Sequence, residues 1–323
     1  NQWRQKKAHI IVFFIFLVSN IGGCLTPVGD PPLFLGFLRG VPFFWTMSLL
    51  PMMVFNAVIL LVILFFLDNH YYKKELAAGR RPEDINGNGK KEPLRIGGAH
   101  NLIFMAMIVG AVILSGLLPN LSAFADQATG ELYGLHVYPG IVVSFNSIIQ
   151  MAIILLAAFL SMKTTTKTIR EDNCFTWASI KEVATLFIGI FITMVPALAL
   201  LKAHGAELGL ASPYQFFWAT GALSSFLDNA PTYLVFMTTA GSLGAAEGLM
   251  TAVGTIAPNI LMAVSAGAVF MGANTYIGNA PNFMVRCIAE ENKIAMPSFF
   301  GYMGWSLCFL IPLFILDTVI FFL

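Results

Sequence analysis

Two carboxyl groups stand where a carboxyl group is expensive. Asp30 is the one charged residue between Ala8 and Leu38, and Asp228 is the one between Ser212 and Ala240. A lone carboxylate at membrane depth costs ~2.5–3.5 kcal/mol on insertion scales and is a functional candidate by default. A carboxyl group so placed can hold a proton or a sodium ion in turn. Neutral oxygens of the kind sodium accepts lie close by: Ser19, Asn20 and Thr26 ahead of Asp30, and Ser224, Ser225 and Asn229 around Asp228. A third polar group, Asn274, Thr275, Asn279 and Asn282, falls in a run from Gly248 to Val285 with no Asp, Glu, Lys or Arg. The bland alternative makes Asp30 and Asp228 caps of short helices. On that view Ser224, Ser225 and Thr275 merely satisfy freed backbone groups. The asparagines, poor in helices and costly in lipid, argue for a site, and Asp228 ranks ahead of Asp30.

Breaks in otherwise apolar helices must position these groups. Gly22, Gly23 and Gly29 with Pro31 and Pro32 interrupt the first run, Pro231 follows SSFLDNA in the second, and Gly272, Gly278 and Pro281 interrupt the third. Glycine permits close approach and unusual backbone, and proline removes a donor and restarts the chain. Unwound backbone at that depth is tolerable only inside protein or beside a polar cavity. Half-helix ends there offer free N–H groups, carbonyls and dipole ends.

Composition places the breaks in a bilayer. Of 323 residues, 57% are hydrophobic and 11% charged, so lipid must be part of the solvent. The net charge of +1 points to no nucleic-acid partner. Cys24, Cys174, Cys287 and Cys308 are scattered without CxxC spacing, which supports neither a disulfide framework nor a transition-metal site. No cofactor is expected beyond sodium and protons as transported or coupling ions. The chain begins at Asn1, with no signal-peptide pattern, and reads as part of something longer.

The expected fold is an all-α polytopic membrane protein. Residues 1–67 hold a broken helix at 8–38 and a span at 41–67, with Pro51 inside it, and 68–98 form a cytoplasmic loop. Residues 99–323 hold spans at 99–119, 139–162 and 183–201, a re-entrant hairpin at 212–240, a broken helix at 251–289 and a last span at 296–323. With that layout, 16 of the 18 Lys and Arg residues fall on the Asn1 side, leaving Arg39 and Lys202 opposite. The positive-inside rule then makes the amino terminus cytoplasmic and the carboxyl terminus extracytoplasmic. Asp317 is expected near the outer surface as a cap, and His9 and His100, at span starts, at the interface. Asp84 to Gly89, DINGNG, begins like a calcium loop, but its twelfth position is Arg95 instead of Glu, so it reads as a turn.

Gly23–Phe34, GCLTPVGDPPLF, aligns without gaps on Gly272–Phe283, GANTYIGNAPNF. Their opposite directions across the membrane would make them an inverted repeat. By symmetry a second hairpin should precede the first copy, upstream of Asn1.

SNIGGCLTPVGDPP, SSFLDNAP and GANTYIGNAPN resemble the first broken-helix, second hairpin-tip and second broken-helix motifs of the ion transporter superfamily of secondary carriers. The resemblance is to its sodium:proton antiporter and arsenite-permease branch, nearest the carriers grouped as citrate transporters or sodium:proton antiporters. It extends to KEVATLFIGIF and MPSFFGY. It implies a homodimer in a bacterial-type cytoplasmic membrane, with an elevator-like alternating-access mechanism. The acidic tip, Leu-Asp-Asn where dicarboxylate carriers have neutral Ser-Asn-Thr, favours sodium:proton antiport over uptake of citrate or another dicarboxylate, or arsenite export. An intramembrane aspartyl protease using Asp30 and Asp228 is the remote enzymatic reading, and it lacks a GxGD signature.

Overall fold

The computed structural model describes residues 4–79, 97–126, 132–138, 141–173 and 175–323. The calcium-loop-like segment 84–89, Arg95, Cys174 and the expected start of a span at residue 139 lie outside them. The chain divides into two compact units, Asn1–Gly89 with Ile188–Leu323, and Lys90–Phe187.

In the first unit, α1 (Ala8–Leu17) stops at a polar, glycine-rich turn and the chain restarts as α2 (Pro31–Leu38). Then α3 (Leu50–Ala77) runs for 28 residues. Pro51 sits in its first turn, where a missing N–H costs nothing, so it opens the helix and does not interrupt a span. The helix also continues ten residues past Leu67, through sequence expected to be loop. Asp68 and Glu75 on that extension grip Arg4 and His9, so His9 is buried within the protein.

The second unit packs α4 (Asn101–Leu117) against α5 (Phe145–Thr164), followed by the short α6 (Lys167–Asp172). Asn101 ties α4 to the end of α5 through Thr165 at 2.9 Å and Ser161 at 2.7 Å. Ahead of α5, β1 (Gly134–Tyr138) and β2 (Ile141–Ser144) form an antiparallel ribbon. Within the span expected at 139–162, Ile141–Ser144 is strand and the helix starts at Phe145. The helix α7 (Ala178–His204) has residues in both units.

Back in the first unit, α8 (Pro213–Ser224) and α9 (Asn229–Ser242) make a helical hairpin. A short ribbon of β3 (Leu249–Thr251) and β4 (Gly254–Ile256) follows. Next come α10 (Pro258–Met271), α11 (Ala280–Glu291) and α12 (Phe299–Asp317), the last ending in a π-helical turn, Thr318–Phe322. The second broken helix thus begins at Pro258, because 251–256 is ribbon. Both ribbons are rich in β-branched residues, a feature a search for 3.6-residue periodicity passes over.

The site rests on close helix packing. The helix α10 is buried along almost its whole length and is built of Ala263, Ser265, Ala266, Gly267 and Ala268. A Cβ on Gly267 would lie 2.6 Å from the Phe217 carbonyl oxygen of α8, so only glycine lets these backbones approach so closely. Phe13 and Phe16 of α1 pack on Trp305, Phe309 and Tyr302 of α12. Among the described residues, Ala8–Leu25, Phe43–Ala77, Asn101–Asn120, Phe145–Thr164 and Phe299–Phe322 are long and apolar enough to cross a bilayer.

Candidate functional site

The two breaks share one backbone solution. A 3₁₀ turn spans Ile21–Leu25 in the first and Gly272–Asn274 in the second, each followed by an extended threonine, Thr26 or Thr275. Asp30 then caps α2 at φ −150°, ψ 138°, and Asn279 caps α11 at φ −152°, ψ 136°. In each copy the paired glycines cross. A Cβ on Gly29 would collide with the Gly23 carbonyl oxygen, and one on Gly278 with that of Gly272. Pro31, Pro32 and Pro281 lie in the first turns of the restarted helices, where their fixed φ suits helix initiation.

The breaks and the hairpin meet at Asp30. Asn229, the first residue of α9, donates through Nδ2 to both Asp30 carboxylate oxygens at 3.2 Å. Asn279 donates through Nδ2 to Asp30 Oδ1 at 3.3 Å, and also to Asn20 Oδ1 and the Ser19 carbonyl, each at 3.2 Å. Three helix N-termini, those of α2, α9 and α11, therefore converge on one carboxylate, and their dipole ends favour negative charge there. Asp30 is 3% exposed and Asn229 0%. Every side-chain donor to Asp30 among the described residues is a neutral amide, and no Lys, Arg or His pairs with it. The Asn229 Oδ1 atom is buried without a partner, a free ligand oxygen beside the carboxylate.

The other polar residues divide by role. Asn20 donates to the Ile15 carbonyl at 2.8 Å and to Asn282 Oδ1 at 2.7 Å, while Asn282 donates to the carbonyls of Gly272 and Thr275 at 2.8 and 2.9 Å. This pair staples one break to the other and satisfies carbonyls that unwinding frees. Ser224 donates to the Ala268 carbonyl at 2.7 Å, and Ser225 to those of Gly221 and Met271 at 2.7 and 3.1 Å. Thr275 donates to the Ser225 carbonyl and accepts the backbone N–H groups of Ile277 and Gly278. Asn274 donates to Ser225 Oγ at 2.9 Å, and its Oδ1 has no partner. The hairpin tip is thus locked to the second break by backbone-satisfying bonds. Among the described residues the hydroxyls of Ser19 and Thr26 make no hydrogen bond, so Thr26 does not repeat the bonding of Thr275 there.

Asp228 does not hold the centre. It is half-buried and caps α9, accepting the Ala230 N–H at 3.0 Å. Asp228 precedes the helix whose first residue, Asn229, points to Asp30, so these amide contacts gather on Asp30 and not on Asp228. Among the described residues no cluster of three or more His, Cys, Asp or Glu is gathered as a transition metal would require.

Asp317 departs furthest from its expected place. It is 0% exposed and accepts from Asn56 Nδ2 of α3 at 3.1 and 2.9 Å. The available signal was a lone Asn in one apolar span and a lone Asp in another. No curated protein and no solved structure matches the chain. A family model described as "Putative citrate transport" matches residues 1–322. Together with the apolar helices and their paired breaks, this makes the chain a multi-pass membrane protein that belongs to that transporter family.

Proposed function

We propose that the cluster around Asp30 is the coupling-ion site of a secondary active transporter, taking sodium and a proton in alternation, and that the transporter runs sodium:proton antiport. One observation carries the reading. Among the described residues a buried carboxylate is met only by neutral amide side chains, with a partnerless amide oxygen beside it. Such a group lacks a counter-charge, and a small cation or a proton supplies one. Asp30 would provide the charge, Asn229 Oδ1 a neutral ligand, and Asn20, Asn279 and Asn282 the frame that holds both breaks. In this reading the carrier is a homodimer of the cytoplasmic membrane, moving its site by an elevator-like shift.

A second reading, cation-coupled uptake of citrate, is favoured by the family's description and by the convergence of three positive helix ends, which suits an anionic substrate group. The two separate in vesicles reconstituted with the full-length protein. Antiport requires an inward sodium gradient to drive proton efflux without citrate. Citrate uptake driven by a cation gradient, with no sodium-driven proton movement, would replace the first reading by the second.

A further inference from the structure

The chain's amino-terminal segment is clamped to the far end of α3. Glu75 accepts Arg4 Nε at 3.1 Å and the backbone N–H groups of Gln5 and Lys6 at 2.9 and 2.8 Å. Asp68, nearly two turns earlier, accepts Arg4 Nη1 at 2.7 Å and pairs with His9 Nε2 at 2.8 Å. Arg4 lies over the Tyr72 ring and Lys6 over the Tyr71 ring. Both carboxylates are therefore engaged inside the clamp. Lys6, Lys7, Lys73 and Lys74 are left at least partly exposed, and none of them forms an ion pair among the described residues. Segments some seventy residues apart in sequence thus bring four uncompensated lysines to one level of α3.

That level has a meaning in a bilayer. The apolar part of α3 ends at Leu67, and six further residues at 1.5 Å each put Lys73 about 9 Å beyond it. A headgroup layer is only ~5–8 Å deep on each side of the hydrocarbon, and a lysine stem spans the difference. Tyr71 and Tyr72 sit at the same height, where aromatic residues mark the interface. We propose that this clamped collar is a binding site for the phosphate headgroups of anionic phospholipids, with Lys6, Lys7, Lys73 and Lys74 as its contacts. The Arg4–Glu75 clamp positions them and does not touch the lipid.

Each lysine near a charged membrane surface changes affinity by about fivefold. The full-length protein, purified in neutral detergent and titrated with phosphatidylglycerol or phosphatidylcholine, tests the proposal by native mass spectrometry of lipid adducts. Wild type should retain phosphatidylglycerol on the order of 10²-fold better, and added salt should erode the preference. The fourfold variant K6Q/K7Q/K73Q/K74Q should lose it and the corresponding fourfold Lys→Arg variant should keep it. Single Lys→Gln variants, each about fivefold weaker, give the same reading if the fourfold variant does not fold. Equal retention of both lipids, or an unchanged preference in the Gln variants, overturns the proposal. So does inorganic phosphate competing as well as the lipid, which would mark a soluble-anion site.

Discussion

Asp30→Asn separates anchoring from ion coupling. The substitution removes the charge and keeps the shape. Its new amide group faces Asn229 Nδ2, a donor against a donor, but Asn229 Oδ1 is unpartnered, so a flip of the Asn229 amide restores a bond. The fold should therefore lose no more than ~1 kcal/mol. Asp30→Leu cannot be repaired this way. It strands the buried Nδ2 group of Asn229, at about 1–3 kcal/mol, whereas Asn279 keeps its bonds to Asn20 and to the Ser19 carbonyl. The functional loss runs the other way. A unit charge ~4 Å from a bound cation is worth about 4 kcal/mol at an effective dielectric of 20, or roughly 10³-fold in affinity. D30N should thus be monodisperse, with a melting temperature near wild type, and show no sodium-driven proton flux in vesicles. D30L should melt clearly lower than both. Undiminished flux in D30N would refute Asp30 as the coupling group. A D30N protein as unstable as D30L would make Asp30 a structural anchor alone.

Asp228→Asn should keep both fold and flux, because Asn caps a helix as well as Asp does; Asp228→Ala should lower stability by about 1 kcal/mol in thermal melts. Asn56→Leu removes the donor to the buried Asp317 carboxyl and should cost ~1–3 kcal/mol in denaturant titration, with much of the loss recovered in the double variant N56L/D317L. Gly267→Ala drives a methyl group into the Phe217 carbonyl and should cost about 1–3 kcal/mol, read as faster proteolysis of the α8–α9 hairpin.

The outline was legible because lipid leaves few options. Runs without charge must be helix, and glycine with proline and asparagine inside such a run must be a break, so 8–38, the hairpin at 212–240 and Gly272–Phe283 could be placed from residue types. The match of Gly23–Phe34 to Gly272–Phe283 has a physical cause that the backbone makes plain. Two crossing glycines and a capping Asp or Asn are what this turn requires, so both copies carry them. Less visible were the ribbons at 134–144 and 249–256 and the helical extension to Ala77. The latter is polar by composition and is held by Arg4, Gln5 and Lys6 through Glu75.

The sequence by itself determined the solvent, the breaks and the small set of polar residues that could form a site. It did not determine which carboxyl lies at the centre, since Asp30 and Asp228 are equally isolated in apolar sequence. Tertiary structure decided that. The N-termini of α2, α9 and α11 converge on Asp30 from segments about 200 and 250 residues away, while Asp228 turns back to its own helix at Ala230. It also turned most of the Ser and Asn candidates into staples between the breaks. An unwound backbone buried in protein must bond its carbonyls to whatever donors lie nearest, and their nearness is a property of the packed helices.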